Sequence, residues 1–491
     1  MIFPVIICKS FTSLEKIKSK IVNNVKLTFY GAARRVTGSK HMLTTAHQEK
    51  ILLDCGMFQG EGTEGDYLNR HFHFDPTTLD FVIISHAHID HIGLLPRLVR
   101  EGYSSPIYMN ESTRDLTELM LADSAHIQEV DLDRINKRRR LKGLESLDPM
   151  YTMEDVIKVL EQLEVVENNK PFVVGKDTKV LFTPNAHILG SIAMHLTLQG
   201  PNRPITLAFT GDIGRPGDSI LSGPDPFPQS DYIICESTYG DREHPVPKDA
   251  NAKLKAMVME TCIEKNGKII IPAFSVDRTQ ELIYMLDRMI SEGELPPVTT
   301  YVDSPLSVRA TRIMKAHQHE FNRDILDYIT RDGDPFDFPG LKYVSKVEDS
   351  KKINDEKTAS IIISASGMAE AGRVKHHIAN NIENENNLIL LVGYATPQSL
   401  AGRLKAGEPT VRIFGDEFVV KARVESMPYF SAHADWKEML QYLSCQKKEE
   451  VKTIFLVHGS DESLGPWKSR LMQEGYPKVT IADMLMEVEL N

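Results

Sequence analysis

The segment DFVIISHAHIDH (Asp80 to His91) constrains this chain more than any other. An unbroken apolar strand runs straight into four candidate metal ligands, His86, His88, Asp90 and His91, within six residues. Imidazole and carboxylate are the donors that zinc accepts at a hydrolytic site. One short loop cannot wrap all four around a single ion. His86 and His88 are therefore expected to face one metal, with Asp90 and His91 directed to a second. The remaining ligands must come from elsewhere in the chain.

Other strand-like runs end in the same kind of residue. KVLFTPNAH ends at His187, ITLAFTGD at Asp212 and IFLVHG at His458. If Asp212 bridges, each ion has four protein ligands: His86, His88, His187 and Asp212, then Asp90, His91, His458 and Asp212. That set suits two zinc ions a few ångströms apart with a water or hydroxide between them. Asp54, at the end of EKILLD, is better placed to orient the HxHxDH loop and the bridging water than to ligate. Sites collect at such strand ends because the sheet holds loop residues on a rigid edge.

The 491 residues suggest two to four domains at roughly 150 residues each. Charged residues make up 25% and AVILMFWYC 41%, which excludes collagen-like, wholly disordered and disulfide-scaffold classes. The five cysteines are scattered, with no C-x-x-C, and read as reduced cytosolic thiols. No apolar run reaches the length of a membrane span, and the apolar start MIFPVIIC is too short for a signal peptide's apolar region. The chain is therefore expected to be cytoplasmic, with no membrane partner. The formal charge of −11 rules out a wholly electrostatic nucleic-acid coat but leaves room for a local basic groove.

Residues 1–24 read as a loosely docked extension. Between Glu111 and Leu163 the chain is helical and highly charged, and it includes RINKRRRLK (Arg134 to Lys142), six basic residues in nine. Such a run reads as a solvated helix face, with a phosphate-attracting strip as the alternative. GDREHPVPKDA (Gly240 to Ala250) reads as a crossover into a new region. There, short buried strands such as KIIIPAF, ASIIISA and NLILLVGY alternate with helices, which implies a parallel α/β sheet.

In order along the chain, Asp54, His86-x-His88-x-Asp90-His91, His187 and Asp212 resemble the four motifs of the metallo-β-lactamase superfamily. ESTYG at Glu236, SAHAD at His433 and VHG at His458 resemble motifs A, B and C of its β-CASP branch of nucleases. The resemblance covers roughly residues 25–475 and is specific because the motifs are ordered. It implies an α/β fold: a metallo-β-lactamase αββα sandwich over residues 25–240, a Rossmann-like parallel β-CASP domain inserted at 241–425, and a return to the sandwich over 426–491. The active site would lie in the cleft between the two domains. Histidine rather than valine at motif C resembles the RNA-processing members, including the pre-mRNA 3′-end processing endonuclease and its stand-alone bacterial relatives. Departures from the family pattern include Asp277 where glycine is usual before Arg278, and Ser460 after VHG where glutamate is common.

The chemistry implied is zinc-dependent hydrolysis of single-stranded RNA, with endonuclease and 5′→3′ exonuclease modes both open. His433 is the candidate general acid and Glu236 its orienting carboxylate, with Asp54 and Asp90 completing the catalytic set. The other reading of Glu236 is a cap on the loop that follows its strand. Ser364, Ser366, Gly367 and Met368 resemble the branch's RNA-backbone loop, with Arg373 as a bidentate phosphate clamp. Arg403 and Lys40 are weaker contact candidates and read first as structural. A DNA nuclease of the same branch, a small thioester or lactone hydrolase, and a degenerate RNA-binding scaffold are the rival readings. Oligomeric state is left open, a homodimer included.

Overall fold

The computed structural model describes residues 24–60, 62–244, 250–393, 395–427 and 431–491. The expected extension at 1–24 therefore lies outside the described residues apart from Asn24. Two seven-stranded sheets pack face to face. The first runs, in spatial order, Glu487–Leu490, Val25–Phe29, His41–Thr44, Lys50–Leu53, Phe81–Ile83, Ile107–Met109 and Leu163–Val165. The second runs Val479–Ile481, Thr453–Leu456, Tyr232–Cys235, Ile205–Phe209, Ile192–Leu198, Thr178–Pro184 and Phe172–Val174. The C-terminal segment thus adds strands to both sheets, and Glu487–Leu490 pairs antiparallel with Val25–Phe29.

Strand period explains the layers. In Val25–Phe29 every second side chain is buried, and Val25, Leu27 and Phe29 pack with Phe182, Phe209 and Phe455 between the sheets. Phe29 and Phe455 lie 5.5 Å apart, centroid to centroid. Neighbouring residues point the other way. Ala208, Ile233 and Ile454 meet Met439, Leu443, Leu464 and Trp467 from the helices Trp436–Leu443 and Asp461–Gln473. Helices on the far side of the first sheet, among them Leu95–Arg100 and Glu111–Leu141, cover it through Leu95, Leu98 and Leu116. The result is an αββα sandwich.

A third sheet is wholly parallel: Leu341–Tyr343, Thr300–Val302, Ser360–Ser364, Lys268–Pro272, Leu388–Leu391 and Arg423–Ser426. Its central strands are buried along their whole length, as parallel strands covered on both faces must be. Ile269, Ile271, Ile361 and Ile363 belong to one core, Ile270, Ile389 and Leu391 to another. The helices that cover this sheet share one apolar cluster with the sandwich, Ile188, Leu189, Phe321 and Ile325 among its members, and add polar contacts to it. Glu320 accepts from the Gly190 amide at 2.7 Å and from Ser112, and Ser219 donates to Glu281 at 3.1 Å. No helix of the described residues is long and apolar enough to cross a membrane.

Candidate metal centre and active site

Each candidate metal donor, and Asp54 and Glu236 with them, sits beyond a strand of the sandwich, where the ladder ends and the backbone turns away. Asp54 follows Lys50–Leu53 with φ +59°, and His458 follows Thr453–Leu456 with φ +51°. His86 and His88 follow Phe81–Ile83, and His88 caps the one-turn helix Ile89–Ile92 that carries Asp90 and His91. That turn is clamped from behind: the Ser39 and Cys55 amides donate to the carbonyls of Asp90 and His91, both at 2.8 Å. Gly56 lies so close that an added Cβ would sit 1.5 Å from the Asp90 carbonyl oxygen. Glycine is therefore required there by space alone.

Three groups of donors converge: His86, His88, His187 and Asp212; Asp90, His91 and His458; and Asp212 with Glu236 and His433, so that Asp212 belongs to two of them. In the first, the Nδ1 of His88 is 3.1 Å from the Nε2 of both His86 and His187. Oδ2 of Asp212 is 3.6 Å from His86 Nε2 and 3.5 Å from His187 Nε2. Zinc–nitrogen bonds of 2.0–2.1 Å in a tetrahedron put ligand atoms about 3.4 Å apart. The four separations above, 3.1–3.6 Å, bracket that value. Mutual hydrogen bonding does not explain it, since His88 Nδ1 carries either one proton or one lone pair and so makes one such bond, not two.

The second group surrounds Asp212 from the other side. His91 Nε2 is 3.4 Å from Asp212 Oδ2, and His458 Nε2 is 3.2 Å from Asp90 Oδ2. His91 Nε2 and Asp212 Oδ1 are buried with no hydrogen-bond partner among the described residues. Buried polar atoms are rarely left so, because desolvation without a partner costs about 1–3 kcal/mol. Asp54 holds the opposite edge of His91: its Oδ2 lies 2.6 Å from His91 Nδ1, and it also accepts from the Ser85 amide at 2.8 Å. That bond fixes the tautomer that leaves Nε2 aimed inward.

Electrostatics point the same way. Burial first, then the neighbouring imidazoles, hold His86 and His187 well below the ordinary histidine range, and burial lowers His88 to about 4. These three rings are neutral at pH 7 and keep lone pairs for a cation. Burial also works against a charge on His91, but Asp212, Asp54 and Asp90 outweigh it and keep it raised. Three clustered carboxylates thus call for positive charge at this point, which a bound metal would supply instead of a proton.

Glu236 and His433 stand directly beside Asp212, their polar atoms within 4.8 Å of its carboxylate. His433 Nδ1 is 3.2 Å and 3.3 Å from the two carboxylate oxygens of Glu236. Glu236 also accepts from the Ile213 amide at 2.5 Å and the Thr238 amide at 3.2 Å, as a cap on the loop after its strand would. The His433 ring lies 4.5 Å from that of His187 and 5.9 Å from that of His458. Beside it opens a cleft of about 860 Å³ between the sandwich and the inserted sheet, lined by Arg215, Ser219, Lys255, Arg278, Ser431 and Lys437 among others.

Residues 42–251 match the metallo-beta-lactamase superfamily, 279–404 the Beta-Casp domain and 417–482 the Zn-dependent metallo-hydrolase RNA specificity domain. The chain is 32% identical over 441 residues to "Ribonuclease TTHA0252" of Thermus thermophilus, spanning 90% of this chain and 94% of that protein. The chain belongs to the β-CASP family of the metallo-β-lactamase superfamily. The archaeal "Transcription termination factor FttA" of Methanosarcina mazei is 28% identical over 89% of the chain and 67% of its own length. A solved structure, a protein of unknown function from Enterococcus faecalis, shares the fold with a TM-score of 0.53 at 13% identity, covering 95% of this chain and 100% of that one. Membership of this family carries a metal cofactor, in keeping with the donor geometry.

The expected RNA loop departs from expectation in two residues. Arg373 is not poised as a phosphate clamp. Its guanidinium is held by Asp303 Oδ1 at 2.6 Å, the Ser345 carbonyl at 2.6 Å and the Val344 carbonyl at 3.3 Å. Ser364 is buried and donates to the Asp303 carbonyl at 2.8 Å. Both frame the loop instead of lining a groove. Ser366, Gly367 and Met368 form the turn itself, with Gly367 packed so that a Cβ would meet the Phe274 ring at 2.9 Å. Lys40 is buried, donating to the Gly38 and Gly56 carbonyls, and Arg403 pairs with Glu408; both are structural.

Two residues not singled out from sequence stand at the site. His244 donates from Nε2 to the His433 carbonyl at 2.9 Å, and its own amide donates to Asp435 at 2.8 Å. Together they pin the backbone of His433. The signal is present in the motifs themselves, as His244 closes ESTYGDREH and Asp435 closes SAHAD.

Proposed function

We propose that this chain is a metal-dependent ribonuclease that hydrolyses single-stranded RNA in the cleft between the αββα sandwich (25–240 and 426–491) and the inserted domain (241–425). The observation that carries the reading is the Glu236–His433 pair, which stands against the donor cluster and gives it a proton donor. A small-ester hydrolase of this fold needs neither that pair nor a cleft between two domains.

Two zinc ions are proposed, one held by His86, His88, His187 and Asp212, the other by Asp90, His91, His458 and Asp212. When bound, they supply a nucleophilic water at neutral pH and neutralise charge on the phosphate. Asp54 keeps His91 in its ligating tautomer. His433 is engaged at Nδ1 by Glu236, so its proton on Nε2 is the one to be given. Water adds to phosphorus and loses a proton to solvent, the bond to the 3′-oxygen breaks, and His433 protonates that oxygen and is reprotonated from solvent, leaving 5′-phosphate and 3′-hydroxyl ends. Ser366, Gly367 and Met368 remain the proposed backbone contacts, held in shape by Ser364 and Arg373. The substrate and the reduced cysteines both suit the cytoplasm.

The test is a gel time course of the zinc-loaded protein on one labelled RNA and its DNA equivalent, with Asp212→Ala as control. RNA cleavage lost in the control supports the reading, and cleavage of DNA alone overturns it. His433→Ala is then assayed on RNA and on bis(p-nitrophenyl) phosphate, whose leaving group needs no acid. Loss of about 10²–10⁴-fold is expected on RNA alone. Equal loss on both substrates would remove His433 from the role of acid.

A further inference from the structure

The helix Glu111–Leu141 is far longer than its packing requires. Its side chains are buried repeatedly up to Ala125, but between Ala125 and Met150 the one buried residue is Asn136. At 1.5 Å per residue the helix projects about 24 Å past Ala125. Asn136 ties down the returning chain, donating to the Leu147 carbonyl at 3.0 Å and accepting from its amide at 2.8 Å. This is a built arm, and it carries the basic run.

Arg134, Lys137 and Arg138 fall within one third of the helix circumference, spaced i, i+3 and i+4. Like charges at that spacing weaken a helix, so the fold alone gives no reason for them. Arg134 has Asp131 at 3.6 Å. Lys137, Arg138 and Lys142 have no carboxylate within ion-pair distance among the described residues, in a chain whose net charge is −11. Ile127, Val130 and Leu141 are exposed on the same stripe, and Arg134, Lys137 and Arg138 lie between Val130 and Leu141. The root of the arm is bonded to the candidate site: Asn110 and Thr113 donate to the Gly190 carbonyl at 2.8 Å and 2.7 Å, in the loop that carries His187.

We infer that this arm is an exosite for the phosphate backbone of RNA extending beyond the cleft, with Lys137, Arg138 and Lys142 as its contacts. The inference rests on the ribonuclease reading. Unpaired cations at the tip of the arm bind phosphate by releasing counterions. The arm then discriminates by substrate length, holding long RNAs and ignoring short ones.

The test compares the full-length zinc enzyme with a K137Q/R138Q/K142Q variant, glutamine being a good helix former. KM and kcat are measured on a long single-stranded RNA and on an oligonucleotide short enough to lie within the cleft. Binding of the long RNA is followed against salt. The expected result is a KM for the long RNA raised roughly tenfold with kcat kept, and a slope of log affinity on log salt shallower by about 2. The short substrate should behave as in the wild type. Equal kinetics of variant and wild type on both RNAs would overturn the exosite while leaving the ribonuclease reading intact. So would a change of oligomeric state with RNA affinity unchanged, which would make the arm a protein interface. Failure of the wild type to cleave either RNA would instead sink the ribonuclease reading.

Discussion

Two sheet edges in this molecule end in clusters of buried polar residues, and the clusters differ in kind. At the edge of the sandwich, His91 Nε2 and Asp212 Oδ1 are buried without hydrogen-bond partners among the described residues, and the donor atoms crowd one another. At the edge of the inserted parallel sheet, Asp303 is just as buried, yet it receives Ser350, Arg373 and His377, the last two at 2.6 Å and 2.7 Å. His377 completes that set by bonding Asn354 at 2.9 Å through its other nitrogen. The first cluster is incomplete as protein and complete with cations. The second is complete as protein. Satisfaction of buried groups, not their presence at a strand end, separates a ligand site from a scaffold.

The largest expected effects break the first cluster. Asp212 borders both donor groups, so Asp212→Ala should drop bound zinc from about two ions per chain to well under one. His458→Ala removes a donor from one group only and should retain about one ion. Elemental analysis after dialysis checks both. Equal loss in the two variants would mean that the two groups do not bind separately.

Breaking the second cluster should cost stability and leave metal alone. Asp303→Ala strands Arg373 and His377 without their carboxylate, and losing one partner of a buried pair costs about 3–5 kcal/mol. Urea unfolding should show a lower midpoint at unchanged slope. Zinc per folded chain should match the wild type. A fall in zinc content at full folding would show that the two edges are coupled.

The same contrast governs how much of the molecule is legible in its amino-acid sequence. The cluster HxHxDH, His187, Asp212 and His458 is legible because its residues are unusual at the ends of apolar strands and have no bland partner nearby in the chain. The αββα sandwich and the parallel inserted sheet are legible from the strand runs and the family motifs. Arg373 reads as a free cation in sequence because its partner Asp303 lies seventy residues earlier, and only the parallel pairing of Thr300–Val302 with Ser360–Ser364 brings them together. His244 escapes notice for the same reason, since its link to His433 spans 189 residues. The basic run at 134–142 looks like any solvated face in sequence, because nothing local says that its helix leaves the body of the protein.

A smaller effect should follow from the residue that joins scaffold to ligand. Asp54 is satisfied by Ser85 and Ser39, as a scaffold residue is, while it aims His91 at the cluster. Asp54→Asn keeps the size and the acceptor for Ser85 but lets an amide N–H face His91 Nδ1. Loss of about 10–100-fold in zinc affinity is expected, read by competition with a chelator. An unchanged affinity would return Asp54 to the scaffold.

The smallest effect lies in the pH profile and turns on His433. Burial works against its charge, but the carboxylate of Glu236 and the hydrogen bond to it, with Asp212 and Asp90 behind, push it up to about 9. A raised value means that the proton is present below about 9 and lost above it. An acid role therefore predicts cleavage that declines as pH rises through that value. Glu236→Gln keeps an acceptor for the Ile213 amide and removes the charge. The pKa should then fall toward the ordinary histidine value of about 6.5, and the alkaline limb should move down by roughly one unit, worth about 1.4 kcal/mol. At pH 6 the variant should approach wild-type rates, and at pH 8.5 it should lag. A limb that stays in place in Glu236→Gln, or survives in His433→Ala, would assign it to the metal cluster and leave the Glu236–His433 pair as a second scaffold.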